Sequence, residues 1–145
     1  GLWKEIDSLA VAYILDAVRD LSARYTIGDV YLLGFSQGAA YACGAAVRHP
    51  SRFKGVIAIG GKWPGSEKNN TLFGKKDVAG AKGLRFLIGH GRQDPAVPPE
   101  EAEETCRVLE KAGMEVTLEI FEGGHTIPPP MALRIEQWVE EASGR

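Results

Sequence analysis

Two hydrophobic periods alternate along this chain. In residues 2–25 apolar side chains recur at three- and four-residue steps (Leu2, Ile6, Leu9, Tyr13, Ala17, Leu21), with Ile14 and Val18 widening the stripe. That spacing predicts an amphipathic helix. Gly28-Asp29 breaks it, and Val30, Tyr31, Leu32 and Leu33 follow as an unbroken apolar run, the pattern of a strand buried on both faces of a parallel sheet. A small-residue helix is expected after Ser36, running to about His49 and stopping at Pro50. Residues 55–59 (Gly-Val-Ile-Ala-Ile) read as a second buried strand and 84–88 as a third, ending before Gly89-His90-Gly91. Between them, 60–83 is expected to be a long Gly/Lys/Asn-rich connection, and loops of that length are usually functional or mobile. Pro98, Pro99 and a run of glutamates open a helix that Gly113 closes. Residues 115–121 alternate Val116, Leu118 and Ile120 with Glu115, Thr117 and Glu119, as a half-exposed outer strand does. A last helix spans about 130–142. Strands alternating with helices predict an α/β fold with a mostly parallel sheet flanked by helices.

Composition narrows the partners. With 145 residues, 44% hydrophobic and a net charge of −2, the chain suits a single domain, residues 1–145, with a genuine core. No basic excess or Lys/Arg run suggests nucleic acid or an anionic membrane surface. No apolar stretch reaches spanning length, and no leader pattern is evident. Cys43 and Cys106 both fall in helical segments, Cys43 among small packing residues, so a disulfide framework is not expected and a cytoplasmic location is the default.

The candidate chemistry begins at Gly34-Phe35-Ser36-Gln37-Gly38, a Gly-x-Ser-x-Gly turn between a strand and a helix. That is the context of a nucleophile elbow, where a strained turn holds the serine hydroxyl above the sheet at a helix N-terminus. Gly34 and Gly38 are both expected to remove β-carbons that would clash there. The alternative is that Ser36 merely caps the helix.

Reactive groups in open α/β sheets gather beyond the carboxyl ends of strands. Asp94 follows the third strand and His125, after Gly123-Gly124, follows the fourth. A serine hydroxyl needs an imidazole to take its proton, and the imidazole needs a carboxylate on its other nitrogen. Ser36, Asp94 and His125 supply those types in the Ser–Asp–His order of α/β-hydrolases. Taken singly, Asp94 reads as a turn residue and His125 as surface; together they read as catalytic. His90 is expected to be structural, within a turn, and His49 to sit as a favourable cation at a helix C-terminus. A metal site from His90, Asp94 and His125 lacks a helical His pair or Cys pair in support, and no phosphate-binding or dinucleotide fingerprint occurs, so no metal and no cofactor are expected.

The segments Gly34–Ala39, His90–Pro98 and Gly123–Pro128, side by side, resemble the phospholipase/carboxylesterase family of α/β-hydrolases, which includes bacterial carboxylesterases and acyl-protein thioesterases. The resemblance runs from about Ile14 to Trp138. It implies Ser36 as nucleophile, Asp94 as acid, His125 as base, and the backbone N–H of Gln37 as one oxyanion donor. It also implies strands ahead of the first helix that this chain lacks, together with the loop that carries the second donor. Losing one such donor costs roughly 10²–10³ in rate. The chain would then be an N-terminally incomplete α/β-hydrolase domain.

The expected activity is that of a carboxylesterase/lysophospholipase-like serine hydrolase on small or medium acyl esters, through an acyl-enzyme. Trp63 and its neighbours in the 60–83 segment are candidates to line the acyl side, the alternative for a lone Trp in a loop being simple packing. Two alternatives stand beside it: a binding or assembly module that keeps the elbow without activity, and a thioesterase on the same scaffold. A dienelactone hydrolase would carry Cys where Ser36 stands. Tyr31, Leu32 and Leu33 bear no edge-protecting charge, proline or bulge signal. The open side of that strand is expected to be covered, by an N-terminal segment, by the 2–25 helix, by another copy in a homo-oligomer or by a second chain.

Overall fold

The computed structural model describes residues 1–66 and 70–144. Its centre is a four-stranded parallel sheet in the order β1-β2-β3-β4. The strands are β1 (Tyr31–Phe35), β2 (Gly55–Ile59), β3 (Arg85–Gly91) and β4 (Glu115–Phe121). Helices α1 (Leu2–Arg24), α2 (Gln37–Arg48), α3 (Lys75–Gly80), α4 (Glu100–Lys111) and α5 (Pro129–Ala142) surround it.

The period-two alternation of the inner strands divides the core into two layers. Val56, Ala58, Phe86 and Ile88 point to one face, packed with Ala42, Cys43, Ala46 and Val47 of α2 and Ala102 and Leu109 of α4. Ile57, Ile59 and Leu87 point to the other, against Met131 and Trp138 of α5. Every residue of β2 is buried, because it has a strand on each edge and a layer on each face. The small residues of α2 let the helix settle close to its neighbours: a β-carbon on Gly44 would lie 3.0 Å from that of Leu72.

Four expectations change. Most of the stripe expected to bury α1 faces outward, with Leu2, Leu9 and Tyr13 69%, 70% and 77% exposed, while its widening residues Ile14 and Val18 do pack inward. The helix instead packs through Val11, with Ile14, Leu15 and Val18 beside it. It carries two apolar faces, and α2 accepts only one. α3 emerges inside the expected loop, started by Asp77, whose carboxylate accepts the N–H of Gly74. β3 does not stop at Ile88; Gly89, His90 and Gly91 continue the ladder opposite Glu119, Ile120 and Phe121, so His90 lies in a strand rather than a turn. His49 does end α2, but burial, with Arg48 and Arg52 nearby, holds its imidazole below the ordinary value and disfavours a cation.

The outer position of β4 is as expected, and β1 forms the opposite edge. Among the described residues β1 pairs with β2 alone, and Leu33 on it is 53% exposed. α1 rests against the α2 layer.

Candidate active site

Ser36 sits between β1 and α2 with φ 55° and ψ −121°, the one described non-glycine residue at positive φ. Such a conformation costs of order 1–3 kcal/mol and persists only where surrounding structure imposes it. Two contacts impose it here. The Ser36 N–H donates to Ile59 O at 2.8 Å, and Ser36 O accepts from the Ala39 N–H at 3.1 Å. Gly34 makes the turn sterically feasible, because a β-carbon there would stand 2.2 Å from Gly38 O. Gly38 differs from expectation: a β-carbon on it would meet nothing within 4 Å, so the clash the turn avoids is between position 34 and the backbone of position 38.

Ser36 precedes α2 but makes no side-chain capping bond. Its hydroxyl lies 2.9 Å from His125 Nε2, donating to that nitrogen. His125 Nδ1 lies 2.7 Å from Asp94 Oδ2, to which its proton is donated. The imidazole is held laterally by the Phe35 ring, 4.8 Å between centroids.

Asp94 is rigidly held. Its Oδ1 accepts the N–H groups of Ala96 and Val97, each at 2.8 Å. Burial pushes its carboxyl up, but the Val97 N–H, His125 and the Ala96 N–H together outweigh burial and hold it below the usual carboxylate value. Asp94 is therefore an anion facing an imidazole.

The loops after β3 and β4 are stitched together, which sets Asp94 against His125. The Arg92 N–H donates to Phe121 O and the Gln93 N–H to Gly123 O. Arg92 Nε and Gln93 Nε2 both donate to the Glu122 carboxylate, at 2.8 and 2.6 Å, and Gln93 Oε1 accepts the Gly123 N–H. Gly91 lets the loops meet, since a β-carbon there would lie 2.2 Å from Gly124 O. Sequence reading passed over Gly91, Gln93 and Glu122. Their only signal was their position beside the candidate acid and base.

A pocket of about 560 Å³ opens beside Ser36 and Gln37, with Trp3, Asp7, Tyr41, Lys62, Leu72 and Val97 in its walls. Asp7 stands among three segments there: it accepts from the Thr71 hydroxyl and faces the Tyr41 phenol. Burial first, and then Asp7, push that phenol's pKa up. Trp63 is not in the wall. It is 4% exposed, with its ring 4.9 Å from that of Phe73, while its neighbours Lys62 and Pro64 line the pocket. The ring stands in the buried layer beneath the pocket, which is the packing alternative for this residue. Gln37 opens α2, where the first N–H groups have no intrahelical acceptor. Among the described residues no three His, Cys, Asp or Glu side chains are grouped to hold a metal.

Similarity to known proteins agrees with this architecture. A probable inactive carboxylesterase of Oryza sativa subsp. japonica is 26% identical over 124 residues, covering 85% of this chain and 49% of that protein. The crystal structure of Arabidopsis thaliana SOBER1 superposes with a TM-score of 0.77 at 23% identity, over 94% of this chain and 64% of that one. Esterase PE8 superposes with a TM-score of 0.70 at 31% identity, over 89% of this chain and 59% of that one. The chain spans about half the length of curated relatives such as the rice protein. The phospholipase/carboxylesterase model matches residues 10–142, nearly the whole chain, which therefore belongs to that family of α/β-hydrolase esterases.

Proposed function

We propose that the protein is a serine hydrolase that cleaves carboxylic esters through an acyl-enzyme. The observation that carries this reading is the unbroken relay from Ser36 Oγ to His125 to Asp94, at 2.9 and 2.7 Å. In this mechanism Ser36 attacks the ester carbonyl as its proton passes to His125 Nε2. Asp94 keeps the other imidazole proton on Nδ1 and stabilises the imidazolium. His125 then protonates the departing alcohol, and a water activated by the same imidazole releases the acid. The Gln37 N–H is one donor to the oxyanion. The pocket beside Ser36 receives the acyl or alcohol portion, and a small-molecule ester is the substrate class. Two free thiols, Cys43 buried and Cys106 half-buried, support a reducing cytoplasm. No described helix is long and apolar enough to cross a membrane.

A non-catalytic role is a second reading, favoured by the rice relative's designation as probably inactive. The two readings part on one experiment. A fluorophosphonate should label Ser36 and none of the other five serines, and Ser36→Ala should abolish labelling while leaving the fold intact. Labelling elsewhere, or ester hydrolysis undiminished in Ser36→Ala, sinks the assignment of Ser36 as nucleophile, and no labelling at all decides for the non-catalytic reading. A panel of oxygen esters and thioesters assigns the leaving group. The side of β1 that pairs with no described strand, and the outward stripe of α1, we assign to contact with another segment, a second chain or another copy, and light scattering of this chain tests the last of these.

A further inference from the structure

Two described buried polar side chains lie outside the relay: Thr105, whose hydroxyl donates to Glu101 O within its own helix, and His90. His90 in β3 is 0% exposed. Its Nε2 lies 2.8 Å from Val97 O and 3.3 Å from Asp94 Oδ2. Its Nδ1 is buried, with no hydrogen-bond partner among the described residues.

These contacts settle the tautomer. Both groups facing Nε2 are acceptors, so the proton resides there and is donated; Nδ1 keeps a bare lone pair. An unsatisfied buried acceptor is a liability that an apolar ring of similar size would not carry. The described polar contacts of the ring are all on the Nε2 side.

That side meets the acid at two points. Asp94 Oδ2 is the same oxygen that receives the His125 Nδ1 proton, at 2.7 Å. Val97 O belongs to a residue whose N–H is already held by Asp94 Oδ1. The two polar groups of the Val97 backbone are thus clamped, one by Asp94 and one by His90. Val97 also stands in the wall of the pocket beside Ser36.

We propose that His90 is a positioning residue for ester hydrolysis: its Nε2–H, donated to Val97 O with Asp94 Oδ2 only 3.3 Å away, locks the acid's turn so that Oδ2 faces His125. This rests on the serine-hydrolase reading of the site. His90 touches no reacting atom. It acts through Asp94, and through Val97 it ties the acid to the pocket wall.

Three variants separate a donor from a space-filler. His90→Gln carries an amide N–H near the place of Nε2. His90→Asn moves the donor to the Nδ1 side, and His90→Phe keeps the bulk without a donor. The full chain of each is assayed for fluorophosphonate labelling rate and for kcat and KM on a p-nitrophenyl ester. The proton between His125 and Asp94 is followed by NMR far downfield. His90→Gln should stay within about threefold of the parent protein; His90→Phe and His90→Asn should lose roughly ten- to a hundredfold in labelling and kcat, with KM nearly unchanged. The downfield proton should survive in His90→Gln and disappear in the other two. Parent-like labelling in a folded His90→Phe or His90→Asn, or a loss in His90→Gln as large as theirs, overturns the proposal. Should neither donor-displaced variant fold, absence of the downfield proton from folded His90→Gln overturns it. Should the parent protein label nowhere, the hydrolase reading fails, and the downfield proton still decides for His90: its survival in His90→Phe or His90→Asn assigns the residue to packing alone.

Discussion

The sharpest contrast within the elbow is between its two glycines. A β-carbon built on Gly34 stands 2.2 Å from Gly38 O, 2.4 Å from Gly38 C and 2.6 Å from Ala39 N. A carbon–oxygen contact normally closes at roughly 3.3 Å, so Gly34→Ala forces about 1 Å of separation. The obstructing atoms are backbone and cannot rotate away. They belong to the first turn of α2, which starts immediately after Ser36. Overpacking of this kind costs typically about 1–3 kcal/mol. A displacement near 1 Å at a nucleophile can cost about a hundredfold in rate. Gly38→Ala introduces a β-carbon with nothing within 4 Å, and alanine suits a helix better than glycine does. Its stability should be unchanged or rise by roughly 0.5–1 kcal/mol, with labelling near that of the parent protein. Fluorophosphonate labelling rate and thermal unfolding, measured on both variants, test the pair. Equal behaviour of the two, or a parent-like Gly34→Ala, refutes the steric account of the elbow.

Two further outcomes follow from the titrating groups. Asp94 is held below the usual carboxylate value, so its contribution to stability is full above about pH 4 and is lost as pH falls through its lower folded value. Denaturant unfolding across that acid range should show the parent protein's advantage over Asp94→Asn shrinking only below about pH 4; an advantage independent of pH there contradicts the assignment. Burial pushes the Cys43 thiol up to about 12, and burial with Glu110 nearby raises Cys106 as well. A disulfide reagent near pH 8 should therefore leave Cys43 unmodified until the protein unfolds, with any slow native reaction confined to Cys106. Rapid native modification of both would refute it.

Sequence reading recovered each strand and the four longer helices because their periods are strong and glycine or proline punctuates them. It failed where glycine carries two meanings. Gly89 and Gly91 look like breakers after Ile88, yet they continue β3 because their bare backbones are where other groups pack: a β-carbon on Gly89 would lie 2.6 Å from the Ile59 side chain. α3 was invisible because six residues cannot establish a helical period; its start depends on the single bond from the Gly74 N–H to Asp77. The inward face of α1 was misjudged because apolar residues occupy two faces, and only tertiary packing selects Val11, Ile14, Leu15 and Val18. The relay residues stood out because each directly follows a strand. The residues that join their loops, Gln93, Glu122 and Gly91, carry no chemistry of their own to announce them.

The strain at Ser36 explains why the small-residue helix and the elbow occur together. Holding φ at 55° costs of order 1–3 kcal/mol, while the bond from the Ser36 N–H to Ile59 O returns only about 1 kcal/mol. The remainder must come from α2. Ala42, Cys43, Ala45, Ala46 and Val47 on that helix are between 0% and 4% exposed, and burial contributes about 0.8 kcal/mol for each methylene-sized group removed from water. Their combined burial exceeds the strain, and they pack only if the helix axis approaches the sheet closely. Close approach also crowds the turn at its start, where a β-carbon on Gly34 would stand 2.2 Å from Gly38 O. The small side chains that dock α2 thus help the two backbone hydrogen bonds hold Ser36 in the conformation that presents its hydroxyl to His125.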